Sequence, residues 1–446
     1  MKTMIKRLIF FGFIICVSFM PKAFSQEGLT AMDATKKKAV VDSIGILLLD
    51  NYVFPEKARE MQTLISANQK AGKYNAIMDP NEFAMKITED LQSVSHDLHL
   101  RVRYNPRMIA EINMTQTPED SVKFVQLMEQ RAAEDNYGFE EVKMLSHGVG
   151  YLKFNGFSGS PKAGEAAEAA MNFLGNAQAL IIDLRQNGGG SPDMIQILSS
   201  YLYNGDRVHL NDFYYRPENA TEQRWTLPYV PGKRLGDADV YVLTSNRTFS
   251  AAEEFTYNLK NLKRATIIGE TTGGGAHPGG VIPASAEFGV FVPSGRAINP
   301  ITHTNWEGTG VEPDIKVASG DALKEAHYRA VNALAEKHQD DPENPYAWTR
   351  DELNALAHPV SMRMEDQGTY TGSYGPRTIS LENGQLFYRR DQGTNYPLVY
   401  MGNDRFLIEE IPYFRIHFIR KNDVIVAIEG EYDDGHTDRN EKNIRP

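Results

Sequence analysis

Ser250 stands in the stretch Thr248-Phe249-Ser250-Ala251-Ala252-Glu253-Glu254-Phe255, where an apolar strand gives way to a helix. A hydroxyl at a helix N-terminus is exposed above the sheet, and the amide of Ala251 points the same way. An acyl-transfer nucleophile needs this pairing of a reactive oxygen with an oxyanion donor beside it. The same residues also read as a capping box, with Glu253 three positions after Ser250. A second candidate is the loop Asp183-Leu184-Arg185-Gln186-Asn187-Gly188-Gly189-Gly190. Consecutive glycines let backbone amides approach a ligand closely, as a second oxyanion donor or a phosphate cradle, or they simply make a turn. The loop has neither GxxxxGK(S/T) nor GxGxxG, which disfavours phosphate.

A serine also needs a base, and His99 is a candidate with His96 as its rival. The spacing His96-x-x-His99 lacks the i, i+4 pair and the glutamate of a zinc peptidase, so no metal is expected. Glu307, in Trp306-Glu307-Gly308-Thr309-Gly310, is either a carboxylate that orients an imidazole or a solvated loop acid.

These residues must be brought together by their elements. Residues 30–115 read as helical, from Val40, Ile44, Leu47 and Leu48 and from Phe83, Ile87 and Leu91 at helical spacing. Asp79, Pro80 and Glu82 start the second of these helices. From residue 147 strands alternate with helices: strands over 148–154, 179–184, 239–244 and 265–269, helices over 162–174, 192–203 and 250–262. Such units favour a parallel sheet with ligands at the carboxyl ends of its strands, where loops 185–191, 245–249 and 270–280 fall. The expected domains are a signal peptide (1–25), an N-terminal helical domain (26–115), a connecting segment (116–146), an α/β core (147–337), a linker (338–358) and an all-β, barrel-like C-terminal domain (359–446). In the last, Asn383-Gly384 marks a hairpin, and Phe414, Ile416 and Phe418 alternate with Arg415 and His417.

The composition is that of a multidomain globular protein, with 446 residues, 41% hydrophobic and 24% charged. Its net charge is −11, or −15 without the first 25 residues, which disfavours nucleic acid and anionic membrane as partners. Lys2, Lys6 and Arg7 precede an apolar run over 8–20, and Ala23-Phe24-Ser25 suits cleavage before Gln26. That run is short of the ~20 residues that span a bilayer, so export without stable membrane insertion, to the periplasm or outside, is expected. Cys16 is the single cysteine and lies inside it, so the mature chain has no thiol chemistry or disulfide.

Together these segments resemble the C-terminal processing (tail-specific) serine peptidases, in the branch with the tricorn protease core and interphotoreceptor retinoid-binding protein. Over roughly residues 30–335 the motifs run in the family's order: Asp97-x-His99, the D-L-R-x-N-G-G-G loop, T-x-S-A-A-E-x-F, G-E-T-T-G-G-G, and G-x-G-V-x-P-D from Gly308 to Asp314. The resemblance implies a ClpP/crotonase-like α/β core and a serine endopeptidase acting on peptides or proteins without a cofactor. It makes Ser250 the nucleophile, His99 the base and Glu307 its carboxylate partner, with Ala251 and Gly188 or Gly189 as the oxyanion hole. The other large branch has a lysine base near Gly274 or Gly275, which is absent here. Leu98 replaces the tricorn tetrad's second serine, and 105–146 is too short and too helix-like for a PDZ domain. Gly274 and His277 are candidate substrate contacts in the cleft, His277 otherwise being an ordinary loop histidine. With an ordinary histidine pKa of ~6.5, activity is expected to fall at acid pH. The alternatives are a binding protein that uses the same cleft for an apolar ligand or peptide, and an esterase, which the absence of G-x-S-x-G disfavours. The complete set of Ser250, His99 and Glu307 favours the enzyme.

Overall fold

Ala179–Asp183 is buried at every position, as an apolar strand inside a covered sheet must be. It lies in a six-stranded sheet whose order is Ile315–Lys316, Thr266–Gly269, Asp239–Thr244, Ala179–Asp183, Val149–Phe154, Phe139–Met144. All neighbours are parallel except the last pair. Alternate side chains, Leu152, Phe154, Leu180, Ile182, Val240 and Val242, form one core with helices Ala163–Phe173, Pro192–Tyr201 and Ala251–Asn261. The computed structural model describes residues 32–113 and 117–443, so the expected signal peptide and Cys16 lie outside the described residues. Among the described residues no helix is long and apolar enough to cross a membrane.

Helices Ala34–Asn51, Pro55–Lys70 and Pro80–Ser95 fill a second core. Asp79 caps the third, its Oδ1 accepting from the amides of Asn81 (2.7 Å) and Glu82 (2.9 Å). This helical region shares its core with Phe288, Val290 and Val292 of strand Phe288–Pro293. Strand Arg101–Tyr104 pairs antiparallel with the same strand, and the helices and the α/β sheet lie within one compact unit that ends at Ala322. The boundary between compact units falls at Ala322/Leu323, which assigns most of helix Ala322–Lys337 to the second unit instead of the core.

The segment expected as a connector contains helix Pro118–Glu134 and the antiparallel edge strand Phe139–Met144. That strand reads poorly in sequence because Glu140, Glu141 and Lys143 give it the charge typical of an edge. The expected linker likewise holds helix Ala347–Ala357. In the second unit, four- and five-stranded antiparallel sheets are joined at their outer strands by the Tyr374–Lys442 bridge. Asn383 and Gly384 both have positive φ (52° and 80°), as a two-residue hairpin turn requires. Phe414, Ile416 and Phe418 point into the core. Arg415, which alternates with them, is buried with its guanidinium 3.8 Å from the Trp348 ring centroid.

Helix Ala251–Asn261 carries a buried carboxyl that the site below does not use. Burial pushes Glu254 up to about 8, partly offset by its hydrogen bond from Asn211. Its folded pKa lies above the ordinary 4.5, so the native state binds the extra proton and stability falls as pH rises through that window. Glu254→Gln keeps the shape without the charge. It is expected to raise the melting temperature more at about pH 9 than at about pH 5; calorimetry showing an equal effect at both would refute this.

Candidate active site

Strand Asp239–Thr244 ends in a turn pinned from two sides. Thr248 Oγ1 donates to Leu184 O (2.8 Å) and Ser245 Oγ to Arg185 O (2.6 Å), tying this turn to the glycine loop. The chain then enters its helix through Ser250 at φ 57°, ψ −121°, a strained conformation for a residue with a Cβ. Glu253 holds that elbow. Its carboxylate accepts from Ser250 N (2.8 Å), Thr272 Oγ1 (2.5 Å), Gly274 N (2.6 Å) and Gly275 N (2.9 Å). Burial pushes Glu253 up to about 7, with these four donors opposing the shift. The capping box expected from Ser250 and Glu253 is thus present, and the serine hydroxyl has a further partner.

Its partner is His99. The His99 Nε2 to Ser250 Oγ distance is 2.9 Å, across 151 residues of sequence. Helix Pro80–Ser95 stops at His96, left-handed at φ 57°, and the following turn drops His99 into the site. His96 itself is exposed, so the two histidines do not form a pair. The buried Asp97 accepts the His99 amide on Oδ1 (3.0 Å). The imidazole packs on Phe249 (4.6 Å between centroids) and Phe291 (5.6 Å). Burial pulls its pKa down to about 4, helped by His277 and Arg101 and opposed by Asp97. The acid limb expected near 6.5 therefore moves to much lower pH.

The glycine loop approaches from the other side. Asp183 binds Arg185 through Nε (2.9 Å) and Nη2 (2.6 Å) and Tyr151 OH (2.7 Å), which stiffens its base. Gly189, at φ 105°, is so close that a Cβ there would lie 2.7 Å from Ser250 Cβ. Its N–H donates to Asn187 Oδ1 (2.9 Å) and is not a free oxyanion donor. Gly188 N–H makes a longer bond, 3.3 Å, to Asn155 O. Ala251 is the first residue of its helix, where no intrahelical carbonyl meets the N–H.

The remaining candidates sit differently from the expectation. Glu307 does not hydrogen-bond His99. Its Oε2 accepts Ala276 N (2.5 Å) and lies 3.4 Å from His277 Nδ1. Burial and the nearby Asp97 hold its carboxyl well above the usual range, against the pull of His277. Among the described residues, Glu307 Oε1 and His99 Nδ1 are both buried without a hydrogen-bond partner. His277, expected on the cleft wall, is buried with Nδ1 2.8 Å from Asp97 Oδ2. Gly274, the other expected substrate contact, has its N–H on Glu253 and its carbonyl on Gly308 N (3.0 Å), which commits its donor.

Asp97 is the residue that sequence reasoning missed, although it stands in the quoted Asp97-x-His99 motif. Asp97, His99 and Glu307 each present a possible metal-ligand atom within 4.8 Å of the others, and both Asp97 oxygens also accept hydrogen bonds. At Gly275 an added methyl would come 2.3 Å from Phe249 Cζ and 2.7 Å from His99 Cε1. Gly275→Ala is expected to displace the imidazole and slow any reaction at Ser250 by about 10²-fold, measured as the rate of fluorophosphonate labelling on protein whose melt shows it folded. An unchanged rate would mean that Phe249 absorbs the clash.

Residues 148–317 match the family model described as Peptidase family S41, and residues 33–142 match the N-terminal domain of Peptidase_S41 in eukaryotic IRBP. Carboxyl-terminal-processing peptidase 2, chloroplastic, of Arabidopsis thaliana is 30% identical over 174 residues, which is 37% of this chain and 31% of the relative. Carboxyl-terminal-processing peptidase 1, chloroplastic, of the same plant is 27% identical over 192 residues, 43% of this chain and 38% of the relative. The chain thus spans well under half the length of these curated relatives. Among solved structures, the photosystem II D1 C-terminal processing protease aligns with a TM-score of 0.41 at 16% identity, covering 64% of this chain and 93% of that one. The family's two models fall in chain order on the helical region that supplies His99 and on the sheet that supplies Ser250, and the chain belongs to peptidase family S41, with an N-terminal domain of the kind found in eukaryotic IRBP.

Proposed function

We propose that this protein is an exported serine peptidase that hydrolyses peptide bonds of peptides or proteins. The observation that carries the reading is the 2.9 Å contact between His99 Nε2 and Ser250 Oγ on a strained strand-to-helix elbow. His99 is neutral at physiological pH because burial disfavours its cation, so Nε2 has a lone pair for the Ser250 proton. The Oγ attacks the scissile carbonyl, and the oxyanion is met by the amide of Ala251, joined by that of Gly188 once it gives up its 3.3 Å bond to Asn155 O. His99 then gives the proton to the leaving amine, and water releases the acyl group with His99 as base again. These steps use only side chains and amides of this chain. Export rests on the basic and then apolar N-terminal sequence that ends at Ser25.

A protein that only bound an apolar ligand or peptide would have no use for a histidine on a serine hydroxyl at a strained turn. The test is a fluorophosphonate probe on the purified mature protein, with the adduct located by mass spectrometry and a peptide library run alongside. Labelling at Ser250 together with peptide cleavage supports the proposal. Labelling with hydrolysis of small acyl esters alone would replace it by an esterase, and folded protein without a label would favour the binding reading.

A further inference from the structure

Two carboxylates lie behind the base, and one cation-forming side chain lies between them. Asp97 is fully buried. Its Oδ1 takes the His99 amide, and its Oδ2 takes His277 Nδ1 (2.8 Å) and Tyr52 OH (3.3 Å). Glu307 Oε2 reaches the same His277 nitrogen at 3.4 Å. A carboxylate oxygen of each lies within 4.8 Å of the other and of a His99 ring nitrogen. Two like charges this close in a buried pocket do not both persist without a counter-ion.

The groups around His277 decide what that counter-ion is. Phe54 packs on the imidazole in a T-shaped contact, at 5.4 Å between centroids. Arg296 and His99 repel a positive imidazole without contacting it, and Arg101 acts on His99 in the same sense. Neither Asp97 nor Glu307 is in a salt bridge with lysine or arginine among the described residues. Burial pulls the pKa of His277 down, but the Asp97 hydrogen bond and the charges of Asp97 and Glu307 outweigh it and raise the group above 6.5.

We propose that His277 is a positioning residue of the peptidase site: its imidazolium is the shared counter-ion of Asp97 and Glu307 and favours the ionised form of both carboxylates behind His99. This deepens the serine-peptidase reading and rests on it. Leu98 occupies the place of the tetrad's second serine, and the Asp97–His277–Glu307 cluster supplies the polar support for the base in its stead. Glu307 Oε1 has no partner in this state, and a carboxylate oxygen of Glu307 lies within 4.8 Å of a His99 ring nitrogen, near enough for its ionised form to stabilise His99 when it takes the Ser250 proton.

The test compares His277→Asn, which keeps a neutral donor near the Nδ1 position, with His277→Ala, which keeps neither donor nor charge. Both are expected to slow fluorophosphonate labelling at neutral pH by about tenfold or more. In the wild type the rate falls again on the alkaline side as His277 loses its proton, and both variants lack that limb. Wild-type rates in His277→Asn would overturn the counter-ion role, since the hydrogen bond alone would then suffice. A second measurement stands apart from activity: nitrogen NMR of the imidazoles in Ser250→Ala, with the His277 signal assigned by its loss in His277→Asn. An apparent pKa for His277 above 6.5, lowered by Glu307→Gln, is expected; a neutral His277 at lower pH refutes the proposal even if the wild type takes no label. Absence of label with a charged His277 would refute the peptidase reading and leave the ion cluster standing.

Discussion

His99→Ala is expected to slow fluorophosphonate modification of Ser250 by about 10²–10⁴-fold, the range by which a positioned base accelerates proton transfer. Phe249 and Phe291 both pack on the imidazole, and Nε2 is 2.9 Å from the hydroxyl, so its loss removes the proton acceptor of the site. The wild-type profile carries a second signature. Burial disfavours the imidazolium and lowers His99 to about 4. The neutral, proton-accepting form therefore persists as pH falls from 7, and the rate drops only as pH passes through about 4. His99→Ala should lack that acid limb. A limb that stays near 6.5, or one that survives the substitution, would mean that another group takes the proton.

Glu253→Ala is expected to cost about 3–6 kcal/mol of stability and to abolish labelling of Ser250. The estimate follows from about 1–3 kcal/mol for each buried donor left without its acceptor, discounted because some would relax or find water. Four donors depend on this carboxylate: the amides of Ser250, Gly274 and Gly275 and the Thr272 hydroxyl. They belong to two loops, so the substitution releases the elbow that aims Ser250 and also the segment that packs against His99. Glu253→Gln retains one carbonyl oxygen but turns an NH2 toward donors, and should fall between the two. Urea unfolding measures the stability term, and labelling of the fraction still folded measures the positional one. A loss under about 1 kcal/mol with full labelling would show that the elbow is held by its strand and helix alone.

Much of the α/β architecture is visible in short stretches of sequence. The strand expected over 239–244 is Asp239–Thr244, and the helix expected over 162–174 is Ala163–Phe173. Apolar runs bounded by glycine and polar turns report on neighbours a few positions away, which is also the range over which helices and strands are decided. Phe139–Met144 escaped because an edge strand is half solvated and carries charges that hide its alternation. The burial of Arg415 is not legible in sequence because alternation says which side of a strand a residue faces, and not that Trp348 covers that side.

The sequence by itself located the main strands and helices of the α/β core and the strand-to-helix junction at Ser250, since residue type and local spacing suffice for these, while His99 stood out from His96 only through the family resemblance. Only the tertiary structure decided how the polar groups are shared. It gave Asp97 to the His99 backbone and to His277, set Glu307 on His277 and Ala276 instead of on the base, and committed the Gly189 amide to Asn187. A buried donor or acceptor bonds whichever partner the fold brings to about 3 Å. Asp97, His277 and Glu307 come together only when strand Arg101–Tyr104 joins the sheet beside the glycine-rich turns, so their partners are set by folding over long distances in the chain and not by spacing along it.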